Sequence, residues 1–202
     1  MLDECRSAAE TAALPAALQV ALKEWDAVCR ALADGRQMLL LRKGGIYEAA
    51  GEFELEHRRF LLFPTFVHQN PRMLKNSQSL QTTAVEPSQV CLSAAACVTD
   101  IIPVTNRAAM DALDDQHVWA APLIDMRFNY KPRNPLYLLL VRVYRLARPR
   151  MIENTPEYAG CKSWVKLEQS VTTAAALPVL DESRYQERRR LILDRLNGAA
   201  IA

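Results

Sequence analysis

Leu18, Leu22, Trp25, Cys29 and Leu32 recur at steps of four and three, with the charged Lys23, Glu24 and Asp26 lying off that stripe. This spacing predicts one amphipathic helix. Asp34-Gly35 closes it, the glycine suiting a left-handed C-terminal cap. Before it, residues 1–15 are Ala-rich and end at Pro15, a short helix or a frayed tail. After it, Arg36 to Arg42 reads as a buried strand, and Gly44 to Gly51 as a hairpin-like connection to a second strand over Glu52 to Phe63. In that strand Phe53, Leu55, His57, Arg59, Leu61 and Phe63 share one face, and Pro64 ends it. Residues 64–88 are rich in turn formers. A third strand is expected from Gln89 to Thr99, although its Ala run also reads as helix. Asn106 to Asp114 reads as a short helix, and Pro122 to Phe128 as strand or helix. Leu136 to Leu146 carries the strongest strand signal. Its two faces are Leu138, Leu140, Arg142, Tyr144 and Tyr137, Leu139, Val141, Val143, and the pattern leaves open which is inward. Asp181 to Asn197 predicts a closing helix with Tyr185, Ile192 and Leu196 on one side and Gly198 as its stop.

Strands and helices in this order make no regular βαβ alternation, which argues against a doubly wound parallel sheet. The expected class is α+β: a mostly antiparallel curved sheet or small β-barrel with flanking N- and C-terminal helices. The expected organisation is a tail over 1–15, a single α+β domain over 16–170, and a linker and helix over 171–202. No apolar run reaches the roughly 18–20 residues of a membrane span. The opening Met-Leu-Asp-Glu-Cys lacks the cationic-then-apolar order of a secretory signal. The five cysteines are odd in number and form no C-x-x-C pair, so reduced thiols in a cytoplasm are expected rather than disulfides or structural zinc.

A formal net charge of +2 announces no partner, but Lys and Arg concentrate in Arg127 to Arg150 and Arg184 to Arg195. Four groups carry candidate chemistry. Arg42-Lys43-Gly44-Gly45 places two cations beside two glycines at a strand end; this fits an anion or phosphate cradle and equally a hairpin turn with solvated cations. Glu48, His57 and His68, with Gln69, offer a carboxylate and imidazoles for acid–base work or a divalent metal, at a spacing that matches no compact metal motif. Arg127, Tyr130, Lys131, Arg133, Tyr137, Arg142, Tyr144, Arg145, Arg148 and Arg150 interleave cations with rings. That pattern suits a nucleic-acid strand, and also a solvated sheet edge. Tyr158 to Trp164 brings Trp164 next to a Gly160 turn, as a pocket wall or a core residue. Arg188-Arg189-Arg190 reads as a solvated helix face or a dock for an acidic protein. Walker A, G-x-G-x-x-G, G-x-S-x-G and H-E-x-x-H signatures are absent, as is any Asp or Glu two positions before Lys.

Ala21-Leu22-Lys23-Glu24-Trp25, Leu40 to Ile46, Phe60 to Thr65, His68-Gln69, Pro135-Leu136-Tyr137 and Gly160 to Trp164 together resemble the bacterial domain-of-unknown-function family 1802. The resemblance covers roughly residues 18–170. It implies an association with restriction–modification or related defence systems and carries no catalytic residue. At the level of fold alone, the order of elements is also similar to PUA-like β-barrels that read RNA or modified bases. The leading expectation is a nucleic-acid-binding accessory domain. In it Arg42 and Lys43 meet phosphate beside Gly44 and Gly45, Tyr130, Tyr144 or Trp164 stacks on a base, and Arg142 and Arg145 add charge. The alternatives are a metal-dependent nuclease or other hydrolase using Glu48, His57 and His68, and a protein–protein adaptor in a defence complex. No cofactor is predicted beyond that divalent metal, and no membrane.

Overall fold

A computed structural model describes residues 13–43, 48–49, 52–53, 55–75, 80–132, 134, 136–160 and 162–201. Its spine is a long antiparallel pair, β6 (Gln89–Val104) and β7 (Leu136–Glu153). On one side of β6 lie β5 (Arg59–Thr65), then β1 (Ala17–Trp25), then β8 (Trp164–Thr172). The outer edge of β7 is shared by β2 (Leu39–Arg42) and, further along, β9 (Leu177–Pro178). β3 (Glu48–Ala49) and β4 (Glu52–Phe53) make a separate small hairpin. The main sheet is curved and unclosed, and antiparallel except for the β1–β5 pair. Four helices flank it among the described residues: α1 (Asp26–Ala33), α2 (Arg107–Asp111), α3 (Ala121–Asn129) and α4 (Glu182–Ile201). The expected mixed α+β class, mostly antiparallel and flanked by helices, is what the chain forms.

The main correction falls at residues 17–25, which are strand and not the first half of a helix. β1 is hydrogen-bonded on both edges, to β5 and β8, and apolar groups cover both of its faces. A strand buried on both faces needs no strict alternation, so its apolar residues matched a helical period by coincidence. The helix begins only at Asp26, where Val28, Cys29, Ala31 and Leu32 are buried. Gly35 ends it as expected: φ is +72°, and the N–H groups of Gly35 and Arg36 reach back to Leu32 O and Ala31 O. The positive φ favours glycine, and a Cβ at Gly35 would stand 3.1 Å from the side chains of both Val179 and Leu180, which would have to shift.

Other boundaries also differ: β2 starts only at Leu39, β6 runs past Thr99 to Val104, and α2 covers only Arg107–Asp111. The strand expected over Glu52–Phe63 is two strands, β4 and β5, and β5 runs through Pro64 to Thr65. Pro64 falls beyond the last rung to β6, Leu61–Ala95, where a strand tolerates a missing N–H. β7 continues seven residues past Leu146, to Glu153. α4 continues through Gly198 to Ile201. Both faces of the first half of β7 are inward: Leu138, Leu139, Leu140 and Val141 are all 1% exposed or less, within one core that also takes Leu22, Phe60, Tyr185 and Ile192. A smaller core, including Leu18, Ala21, Phe63, Leu92, Leu146, Tyr158 and Val165, fills the opposite face beside β1 and β8.

Gln69 shows how the loop after β5 fastens this arrangement. It is buried, its Oε1 accepts from Ala27 N in the first turn of α1 (2.8 Å), and its Nε2 donates to Gln81 O (2.7 Å). Trp25, at the N-cap, supplies no side-chain bond, so Gln69 satisfies a helix-end donor from 42 residues away. Gln69→Ala is expected to cost about 1–2 kcal/mol, read from the midpoint of urea unfolding.

A candidate anion-binding cleft

The carboxyl ends of β1 and β5 open onto a cleft of about 820 Å³. Lys23, Glu24 and Trp25 come from β1, Arg42 from β2, Phe63 and Thr65 from β5, and Arg127 from α3. The far rim is the segment 86–88 before β6 and, after β7, the segments 154–160 and 162–163. Two of the wall loops are fastened by charge. Lys23 Nζ donates to Tyr158 O and, at 3.2 Å, to Gly160 O, holding the 158–160 turn over the end of β1. Glu86 accepts from Phe66 N and Val67 N at 3.0 Å, tying the turn after β5 to the rim.

At the floor, Arg42 Nη2 donates to Glu24 Oε2 (3.1 Å) and reaches Lys23 O (3.4 Å). The side chains of this pair are only 11% and 8% exposed. Glu24 Oε1 also accepts from Trp25 N at 2.9 Å. Burial pulls the Arg42 guanidinium below its ordinary pKa; Glu24 opposes this, and the like charge of Arg127 adds to it. The Nε groups of both Arg42 and Arg127 are buried with no hydrogen-bond partner. One guanidinium thus pairs with the carboxylate while a second stands near it, and two buried N–H groups have no acceptor. Buried donors are nearly always satisfied, and an unpaired buried charge is costly. The cationic floor suits an anion with acceptor oxygens, such as a phosphate or a carboxylate. Four cations, Lys23, Arg42, Arg127 and Lys162, face two carboxylates, Glu24 and Glu86, around the cleft.

The other sequence candidates disperse. Lys43 is buried and donates to Phe128 O at 2.5 Å, capping the last turn of α3. Gly44 and Gly45 lie outside the described residues, as do Arg133, Cys5 and Cys161, and Glu48 is described only as a backbone position in β3. His57 precedes β5, is 3.4 Å from Glu56, and stacks edgewise on Trp164 with ring centres 5.2 Å apart. His68 follows β5 and stands exposed at the cleft rim. The seven residues of β5, roughly 20 Å of extended chain, separate the two imidazoles. Among the described residues no three His, Cys, Asp or Glu side chains are grouped to hold a metal ion. The third histidine, His117, is buried, and burial followed by the charge of Lys75 lowers its pKa to about 4.

Tyr130 is exposed at the end of α3, with the Lys131 ammonium 5.4 Å from its ring centre. Arg142 is ion-paired with Glu182 of α4 and lies over the rings of Tyr144 and Tyr185. Arg145 donates to Ala33 O at the end of α1, at 2.7 Å. Trp164 packs on Phe60 in the core, and its neighbours Lys162 and Ser163, not Trp164, line the cleft. Arg188 and Arg189 are not a solvated face. Arg188 bonds Gly35 O, Arg36 O and Gln116 Oε1, and Arg189 pairs with Asp100. Of the cleft residues, Glu24 and Lys23 were missed because they read as the polar side of a helix; strand alternation around Leu22 was the signal that would have turned Glu24 inward.

Fold and site together define a mixed α+β protein built around a recessed cationic cleft. The sequence profile described as "Domain of unknown function (DUF1802)" matches residues 21–191, and the chain belongs to that family. No protein with a curated description matches the chain. Among solved structures, ASCH from Zymomonas mobilis is similar at 11% identity and a TM-score of 0.44, over 74% of this chain and 87% of that one. A tyrosine-to-phenylalanine mutant of the same ASCH protein gives 12% identity and a TM-score of 0.41, over 74% of this chain and 90% of that one. At such scores the fold rests on the strand order given above. Among the described residues no helix is long and apolar enough to cross a membrane.

Proposed function

We propose that the protein is a nucleic-acid-binding domain that draws a phosphate of a single strand into the cleft at the ends of β1 and β5. One observation carries this reading: Arg42 and Arg127 present buried, unpartnered Nε groups beside a single carboxylate. The cleft volume accommodates a nucleotide, and half-buried Trp25 on its wall offers a ring for a base. A duplex carries its phosphates on the outside of a cylinder, whereas a single strand can lower one into a recess. The defence association implied by the family resemblance is compatible with an accessory role for this binding, beside a restriction–modification or related enzyme. Of the residues first assigned to phosphate, Arg42 keeps that role, and Arg127 takes the place given to Lys43.

Fluorescence anisotropy with labelled single-stranded RNA and DNA tests the reading. Affinity is expected to fall with salt, with a logarithmic slope of about −0.7 for each phosphate neutralised. Arg127→Gln is expected to weaken binding about tenfold and to shallow the slope by about 0.7. The same change relieves a like charge beside Arg42 and therefore leaves thermal stability unchanged or slightly raised. Binding indifferent to salt, or an Arg127→Gln protein that binds as the wild type does, overturns the proposal.

A further inference from the structure

Beyond the cleft, the end of the β6–β7 pair presents a second cationic element. The ladder there runs Gln89–Glu153, Val90–Ile152, Cys91–Met151 and Leu92–Arg150, then breaks, resuming at Ala94–Arg145. One residue of β6, Ser93, therefore lies opposite four of β7, Leu146 to Pro149, and Arg145 to Arg150 form an enlarged bulge that contains Pro149 and Arg148.

The two sides of this bulge face opposite ways. Ala94 belongs to the main core, and its partner Arg145 reaches the end of α1 on that side. Val90 and Leu92 belong to the smaller core, together with the cleft residues Phe63 and Tyr158. Directly paired residues share a face of the sheet. Arg150, opposite Leu92, therefore stands on the face that carries the Phe63 and Tyr158 wall of the cleft, while Cys91 and Met151 are exposed on the other. Arg148 and Arg150 are exposed and make no hydrogen bond or ion pair among the described residues. Asn154 forms part of the cleft rim, bonding Ser88 O and Pro87 O across the pair, and Arg150 is about 13 Å of strand away from it.

We infer that Arg148 and Arg150 continue the binding track out of the cleft, so that the ligand is an extended single strand of several nucleotides and not a lone nucleotide or a terminal phosphate. This rests on the cleft reading above. A phosphate held by Arg42 and Arg127 leaves the next nucleotides to cross the 154–156 rim. The charge they meet there is the bulge. Phosphate spacing along a strand, unlike an acidic protein surface, is regular enough to engage a recess and a separate basic bulge at once.

The test is a length series: a nucleoside monophosphate and oligonucleotides of about 4, 8 and 12 nucleotides, as RNA and as DNA, against wild type, Arg127→Gln and Arg148→Gln/Arg150→Gln. Wild-type affinity is expected to rise at least tenfold from the 4-mer to the 12-mer, in whichever of the two strands is the ligand. Arg148→Gln/Arg150→Gln should bind the 4-mer like wild type but lose most of the gain with length, and Arg148→Lys/Arg150→Lys should restore it. If the double glutamine variant keeps the wild-type length dependence while Arg127→Gln is impaired, the bulge inference falls and the cleft stands. If no oligonucleotide binds wild type, or Arg127→Gln binds normally, both fall.

Discussion

Glu24→Ala is expected to destabilise the protein by about 3 kcal/mol or more, measured as a lower urea midpoint at unchanged slope. Glu24 and Arg42 form a pair whose side chains are almost wholly removed from water, so solvent screens their attraction little. Removing the carboxylate strands a guanidinium at the cleft floor next to the like charge of Arg127. It also takes the side-chain acceptor from Trp25 N. Breaking a buried pair from one side costs more than the pair contributes, because the remaining charge keeps its desolvation penalty. The double change Glu24→Ala/Arg42→Met should therefore recover more than half of the loss. A single-variant cost below about 1 kcal/mol would show that the pair does not hold the floor together.

The second large effect is expected at Tyr185, which fastens α4 to the spine. Its ring is 3% exposed, its hydroxyl meets Thr99 Oγ1 at 2.6 Å, and the Arg142 guanidinium lies 5.0 Å from its centre. Ile192 and Leu196 bury the same side of α4 further along. Tyr185→Ala is expected to cost about 3–4 kcal/mol, as for other large aromatic truncations in a core. Tyr185→Phe removes only the hydroxyl and should cost about 1 kcal/mol. Hydrogen exchange distinguishes a local effect from a global one. Amides of α4 should lose protection in Tyr185→Ala before those of β6 and β7 do. Uniform loss across all three elements would mean that α4 and the sheet unfold as one unit.

The sequence was most informative where one face of an element meets water. The Tyr185, Ile192 and Leu196 stripe of α4 is such a case, as is the capped end of α1 at Gly35. It misled where an element is enclosed. β1 has neighbours on both edges and apolar groups on both faces, so the polarity that distinguishes a 2-residue from a 3.6-residue period is lost. That error also hid two of the six charged residues of the cleft, since Lys23 and Glu24 were assigned to solvent. Arg42 was found through its turn and Arg127 through its basic cluster, but nothing local revealed that they converge. The roles of Lys43 and Arg145 were illegible for a related reason. Each completes a helix end far along the chain, Lys43 at Phe128 and Arg145 at Ala33, and a cation that caps a distant carbonyl looks no different in sequence from one that awaits a ligand.

The position of β1 between β5 and β8 has a consequence during synthesis. β1 is the first of the strands to leave the ribosome, and Leu22 finds its partner Trp164 only after more than two thirds of the chain has followed. At ordinary translation rates that delay is on the order of ten seconds or more. Throughout it, β1 carries an open hydrogen-bonding edge lined by Leu18, Val20 and Leu22, a template for another strand. The nascent chain is therefore most exposed to mispairing in the interval when the spine can already form and β8 has not yet appeared.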